Sequence, residues 1–408
     1  MHQLHFNREF SPKMSNINFP APAIPPSALL DFISHKSLDN VDFPSILDVK
    51  NARFTTSGRA SIALALEHAN ITLDDEVLIP AYHCEAMVAP TRWRGAKAVF
   101  YRINSDTSIH IEDIVTKITP KTRAIIVTHY FGFEQQLQDI RALCTKHSII
   151  LIEDCAHAMF GLSSGQAIGT TGDYAIASCM KFLPIYEGGL ICSTTRDISD
   201  LKLSSPSLIF QIKSAINCLE TAVFYNRLGF LGRFINTLFK LKDKLWAYLK
   251  SLYPDRQPAG LGPSSSEGEF GLDEAWIHKT ITVFSSLVIQ NTKLDYVTEK
   301  RRQNYQTIMA CLAAIPDCHP LFPVLPEHTI PWVFPLYVDH PEKHFLTLKK
   351  QRVPVWRFGE FLDSAITKDV CPVSVDYSKH IFQFPCHQSL TADELQWMLK
   401  KIIQILSE

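Results

Sequence analysis

Lys181 and Asp154 are the two side chains whose setting in the sequence could do chemistry. Asp154 ends the run Ile149-Ile150-Leu151-Ile152-Glu153-Asp154, and His157 follows it closely. A short apolar run bounded by polar residues suits a buried parallel strand. Ligands of open α/β sheets sit beyond the carboxyl ends of such strands, which puts Asp154 and His157 at the mouth of a site. After Gly172-Asp173 comes a second apolar run, Tyr174 to Ala177, then Ser178-Cys179-Met180-Lys181, and then Glu187-Gly188-Gly189 opening another apolar run. A lysine on a turn between two buried strands, with an acid at a neighbouring strand end, points to pyridoxal phosphate (PLP) chemistry. The lysine forms the Schiff base and the acid keeps the pyridinium nitrogen protonated. Taken singly, Asp154 also reads as a helix N-cap and Lys181 as a solvated loop cation.

A phosphate needs a seat, and one stretch offers it. In Thr55-Thr56-Ser57-Gly58-Arg59-Ala60, Ser-Gly precedes a good helix-forming run. Free N–H groups at a helix start, with the helix dipole, bind phosphate, and Gly58 lets the backbone approach closely. A merely capped helix gives the same letters. Asp74 to Cys84 reads as a strand and turn that brings Tyr82, His83 and Cys84 near the same edge. Metal ligation by His83 and Cys84 is disfavoured, because no further pair with zinc spacing follows.

These stretches resemble the DegT-type sugar aminotransferases, a branch of the fold-type I PLP enzymes. The resemblance is carried by Ile152-Glu153-Asp154-Cys155-Ala156-His157-Ala158, by Gly172-Asp173, by Ser178 with Lys181, and by Glu187-Gly188-Gly189. Ser57-Gly58-Arg59-Ala60 matches the family's S-G-T-A phosphate turn with arginine in place of threonine, and His129-Tyr130-Phe131-Gly132 resembles its H-x-x-G turn. The family often stacks an aromatic ring on the cofactor where this chain has Cys84, so Tyr82 and Cys84 are both candidates for that face. The resemblance implies that Ser57, Gly58, Arg59, Ala60 and Ser178 anchor the phosphate. It implies that His157 contacts the ring face or its phenolic oxygen. It also implies an amino donor, glutamate, a keto group on a nucleotide-linked sugar as acceptor, and a homodimer. A PLP lyase or dehydratase on the same fold, and a non-catalytic binding protein, are the competing readings. The G-x-N-x-R segment of the family is missing; Gly268 to Glu274 stands in its place.

The elements that must position these residues alternate. Strands over Ala98–Arg102, Arg123–His129 and Ile149–Ile152, with helical patterns over Ile111–Ile118 and Gln135–His147, predict an α/β fold with a doubly wound, mostly parallel sheet. The resemblance makes it aspartate-aminotransferase-like, with a smaller C-terminal α/β domain. The expected division is an N-terminal arm over 1–28, a large PLP-binding domain over 29–199, a helical insertion and loop over 200–272, and a linking helix with the small domain over 273–408. One long helix is expected from Glu274 to about Cys311. Strands are expected over Trp332–Val338, Val353–Arg357 and Ile381–Pro385, and helices over Glu342–Gln351 and Ala392–Ile405. Arg357 reads either as a ligand for a substrate carboxylate or as a surface ion pair.

Composition limits the alternatives. The chain has 408 residues, 46% hydrophobic and 20% charged, with net charge −1. That suits a globular enzyme and implies no attraction to nucleic acid. Ten scattered cysteines without a C-x-x-C pair favour reduced thiols in a cytoplasm. No signal-type apolar core stands at the N-terminus, and no apolar run approaches the roughly 20 residues that span a bilayer. Residues 231–250 carry Leu231, Phe234, Ile235, Leu238, Leu245 and Leu249 near helical spacing, with Arg233, Lys240, Lys242, Lys244 and Lys250. Such a helix packs on a core or a subunit, or lies weakly on a membrane surface.

Overall fold

The computed structural model describes residues 21–27, 43–163, 165–237, 239, 262, 263, 266 and 271–408. Its large sheet has seven strands in the order β1-β9-β8-β5-β4-β2-β3. These are β1 (Ala52–Thr55), β2 (Glu76–Pro80), β3 (Lys97–Tyr101), β4 (Thr122–Thr128), β5 (Ile150–Asp154), β8 (Tyr174–Ala177) and β9 (Gly189–Cys192). A two-stranded ribbon, β6 (Leu162–Ser163) with β7 (Gln166–Ala167), lies between β5 and β8 in sequence. The pairs β2–β3, β2–β4, β4–β5 and β5–β8 are parallel, whereas β9 runs antiparallel to β8 and β1. The sheet is thus mostly parallel, as expected. Its central strands are buried and apolar: Ala124 to Val127, Leu151, Ile152 and Tyr174 to Ala177 have no exposed surface. This is the pattern of strands covered on both faces.

Helices α1 (Gly58–His68), α2 (Glu85–Trp93), α3 (Ile111–Lys117) and α4 (Gln138–His147) cross between the strands. The run Ala60 to Leu66 in α1 is buried throughout, so small residues and leucines let this helix lie flat on β8 and β9. The parallel strands all point the same way. The segments after Pro80, Thr128, Asp154 and Ala177 therefore emerge at one edge, where α1 and β9 also begin.

The second sheet is antiparallel, in the order β10-β11-β13-β12, from β10 (Cys318–Pro320), β11 (Val333–Val338), β12 (Trp356–Arg357) and β13 (Ile381–Pro385). The closing helix spans Ala392–Leu406, with a capping box at Thr391 and Glu394. The single long helix expected from Glu274 is three pieces: a turn over Glu274–Trp276, a helix over Val283–Asn291 and a linking helix over Leu294–Leu312. Thr282 caps the middle piece, and Thr292 and Lys293 are extended. The expected strand Val353–Arg357 shortens to Trp356–Arg357.

Residues 21–27 of the expected N-terminal arm pack on their own chain: Ser27 Oγ donates to Pro184 O at 2.6 Å, and His387 Nε2 lies 2.9 Å from Pro22 O. The rest of 1–20 and residue 28 lie outside the described residues. So does most of the basic stretch 231–250; of it, 231–237 are helical. Among the described residues no helix is long and apolar enough to cross a membrane.

Candidate active site

Asp154 ends β5 at the common edge and is buried. Its Oδ1 accepts a hydrogen bond from Ala156 N at 2.9 Å. Burial pushes its carboxyl above the usual range, against the pull of the Ala156 N–H, the Lys181 ammonium and His129. Lys181 ends the one-turn helix Cys179–Lys181 that follows β8. Burial lowers its amine below the lysine range, while Cys84 and Asp154 favour the charged form and Arg59 opposes it. The Cys84 thiol, raised by burial, feels the charges of Lys181, Asp154 and Arg59 in turn. Lys181, Asp154, Cys84 and Arg59 are thus one electrostatic group, drawn from four separate stretches of the chain.

The Ser57-Gly58 turn lies against this group. Ser57 Oγ accepts from Ala60 N at 3.2 Å and so caps α1. Accepting there does not use the hydroxyl's proton, and the turn stands at a helix start, where anions are favoured. Ser178, buried, lies directly across: a Cβ on Gly58 would stand 3.4 Å from Ser178 Cβ. Arg59 Nη1 donates to Gly271 O. A small cavity beside this turn is lined by Ser57, Arg59 and Ala60 on one side and Pro263, Asp273 and Trp276 on the other.

His157 is buried and neutral, its imidazole held far below the usual range by burial and by the Lys181 charge. Its ring stacks on Trp332 at 4.1 Å between centroids and on Phe131 at 5.9 Å, with Phe358 edge-on at 4.8 Å. Aromatic side chains therefore pack on the ring, and its Nδ1 is a buried atom with no hydrogen-bond partner. Of the two contacts that the resemblance implies, this favours the one made by the nitrogen edge. Tyr82 does not join the charged group. It is fully buried beside Tyr130, Phe131, Phe358 and Tyr377, with its hydroxyl unpartnered. Of the two candidates for the cofactor face, Cys84 is the one coupled to Lys181 and Asp154.

Trp332 escaped the sequence reading as a site residue. Lys181 Nζ lies 4.6 Å from its ring centroid, a cation–π distance. The His129–Gly132 turn seats it: Trp332 N donates to Phe131 O at 2.8 Å, and a Cβ on Gly132 would meet Ile330 O at 2.3 Å. The signal in the sequence is a Pro-Trp pair at the start of a strand, 151 residues from the lysine. Arg357 pairs with Glu360 and lies over the Phe345 ring at 4.1 Å, the ion-pair reading.

Several motif residues hold the frame. Glu153 accepts from Thr171 N at 2.6 Å, from Gly169 N at 3.1 Å, from Gly172 N and from His129 Nε2 at 3.2 Å. His129 Nδ1 accepts from Gln135 N at 2.9 Å, which leaves the proton on Nε2. His129, Glu153 and Cys155 are close enough to hold a metal, yet these bonds occupy both imidazole nitrogens. Asp173 accepts from Leu151 N at 2.9 Å and Arg141 Nη1 at 2.8 Å, anchoring β5. Buried Glu187 accepts from Ser214 Oγ at 2.6 Å and from Thr282 N and Oγ1 at 2.9 and 2.8 Å.

The fold is shared with solved aminotransferases. A putative sugar aminotransferase from Streptococcus pneumoniae, solved in its PMP form, superposes with a TM-score of 0.62 at 16% identity, covering 96% of this chain and 99% of that one; at that identity the likeness concerns the fold. Residues 40–203 match the model of the DegT/DnrJ/EryC1/StrS aminotransferase family. Similar curated proteins include GDP-perosamine synthase from Vibrio cholerae, 33% identical over 173 residues, which are 41% of this chain and 47% of that one. Another is UDP-N-acetyl-3-dehydro-alpha-D-glucosamine 3-aminotransferase from Acidithiobacillus ferrooxidans, 35% identical over 129 residues, 31% of this chain and 34% of that one. The chain thus spans less than half the length of these relatives.

Proposed function

We propose that this chain is a PLP-dependent aminotransferase that moves an amino group from glutamate to a keto group of a nucleotide-linked sugar. The observation that carries the reading is buried Lys181, set against the Trp332 ring that stacks on His157 and grouped in charge with Asp154 and Cys84, beside the start of α1. The donor set fits the cofactor: a buried acid with raised proton affinity for the ring nitrogen, an unpartnered His157 Nδ1 for a ring oxygen, and Gly58, Arg59 and Ser178 for the phosphate. When bound, PLP supplies an aldehyde and an electron-accepting ring. Lys181 would hold it through its amine. The same amine, when free, would take the proton from the donor's α-carbon as general base and return one as general acid. Asp154 keeps a proton on the ring nitrogen. The surrounding Trp332, Phe131 and Phe358 exclude water. The sugar acceptor is supported by the similarity to a GDP-perosamine synthase and to a UDP-N-acetyl-3-dehydro-glucosamine 3-aminotransferase.

The test is a spectrum and an assay. Purified protein with PLP is expected to show a Schiff-base absorbance band that converts on adding glutamate, with release of 2-oxoglutarate. A screen of keto-sugar nucleotides is then expected to give glutamate-dependent amination. If excess PLP gives no band, the enzyme reading falls; a band that glutamate leaves unchanged selects other PLP chemistry.

We take the domain division given above, with the small domain beginning near residue 273, as part of this reading, and we place the chain in a reducing cytoplasm, which its ten free cysteines support. We also propose a homodimer. Helix α5 (Leu208–Phe224) exposes Leu208, Ile209 and Ile212, and the neighbouring helix Val283–Asn291 exposes Val283 and Leu287. An exposed apolar face of this kind suits a second copy. Leu231 and Phe234 are exposed beside Arg233 and are the described part of the alternative, a membrane contact through 231–250. Light scattering is expected to give twice the chain mass, without co-sedimentation on anionic vesicles at low salt. A monomer that sediments with the vesicles reverses the assignment.

A further inference from the structure

Arg301, on the linking helix, is fully buried. Among the described residues its hydrogen-bond partners are all neutral. Nε donates to Gln388 Oε1 at 3.0 Å. Nη1 donates to the carbonyl oxygens of Trp332 at 2.9 Å and Pro331 at 3.3 Å. Nη2 donates to those of Lys181 at 3.0 Å and Phe182 at 3.3 Å. The guanidinium also lies over the Phe182 ring, 4.5 Å from its centroid. Burying a cation without a carboxylate is costly, and desolvation lowers this one to about 10. What the cation does in return is visible in its partners. The carbonyls of Lys181 and Phe182 at the end of the one-turn helix have no backbone donor among the described residues; the guanidinium supplies both, and Gln388 Nε2 also donates to Phe182 O at 2.8 Å. Its other arm holds the chain at the start of β11. Lys181 Nζ and the Trp332 ring, which touch each other, therefore hang from one rigid fork by their own backbone carbonyls.

We infer that Arg301 is a positioning residue for the Lys181 amine: its two Nη groups tie the lysine turn to Trp332 and so set where the amine lies. The consequence for catalysis rests on reading Lys181 as the cofactor lysine, but the positioning belongs to the cofactor-free chain and is measurable there. A lysine at 301 keeps the charge but lacks the fork, so it reaches only one of the two segments. A glutamine also removes a positive charge near Lys181, which alone would raise the affinity of that amine for its proton. Arg301→Lys is therefore the variant that reports position.

The experiment follows acylation of Lys181 against pH in cofactor-free protein by mass spectrometry, with exposed Lys121 as internal reference and thermal unfolding in parallel. Wild type is expected to acylate Lys181 with a midpoint below that of Lys121. In Arg301→Lys, and also in Arg301→Gln where it folds, the midpoint is expected to move up towards that of Lys121 by about one pH unit, a tenfold change in proton affinity. An Arg301→Lys variant that melts earlier yet keeps the wild-type midpoint makes Arg301 a structural brace only and overturns the inference. Loss of the absorbance band in wild type would strike the functional reading and leave this result standing.

Discussion

Replacing Lys181 with alanine is expected to lower glutamate-dependent amine transfer at least about 10⁴-fold, since it removes both the covalent anchor and the proton carrier. The same change should leave the fold nearly intact. The amine contributes a cation–π contact with Trp332, worth about 0.5–2 kcal/mol. The elements around it are held by the backbone: Arg301 binds the carbonyls of Lys181 and Phe182, and Lys181 N bonds back to Ser178 O. None of these bonds needs the side chain. Relief of burying the amine offsets part of the loss. Single-turnover rates and thermal unfolding of the same preparation check both halves. A variant that transfers amine at more than about 1% of the wild-type rate would remove Lys181 from the mechanism, because a general acid–base group alone accounts for at least 10²-fold.

The parts of the site that lie between residues 151 and 189 were legible in the sequence, for a physical reason. A buried parallel strand is a short apolar run, and the residue that follows such a run must be at the ligand edge. Asp154, Ser178 and Lys181 each follow one. Gly58 was legible because helix starts have few spellings. What the sequence hid is how distant stretches of the chain converge on the site. Trp332, Phe131 and Phe358 close on His157 only after the chain folds back. Arg301 sits in the run Lys300-Arg301-Arg302, which reads as a solvated face, although Arg301 is fully buried and Arg302 donates to Pro326 and Thr329 carbonyls. The missed break in the long helix has a similar origin. Nothing in Ile281-Thr282-Val283 stops a helix by propensity. Thr282 starts one because Glu187, nearly a hundred residues earlier, accepts from its N–H and hydroxyl.

The paired glycines at the start of β9 supply the second large effect. A Cβ on Gly189 would stand 2.3 Å from Ser57 C, 2.4 Å from Ser57 O and 2.6 Å from Thr55 Oγ1. Two of those three atoms are backbone, so no rotamer change relieves the clash. The backbone at 57 must move, and with it the cap and the first turn of α1. Gly189→Ala is therefore expected to cost about 3 kcal/mol or more, as overpacking against backbone does, and to weaken PLP binding about tenfold or more by displacing the phosphate turn. Gly58→Ala provides the contrast. Its Cβ would meet Ser178 Cβ at 3.4 Å and Ala177 O at 3.5 Å, ordinary contacts, and alanine favours a helix. Its thermal stability should stay within about 1 kcal/mol of wild type. Denaturant unfolding of both variants, with PLP titration followed by absorbance, measures the difference. If Gly189→Ala proved as stable as Gly58→Ala, the close approach of β9 to the Ser57 turn would be wrong, and with it the placement of the phosphate seat against the lysine turn.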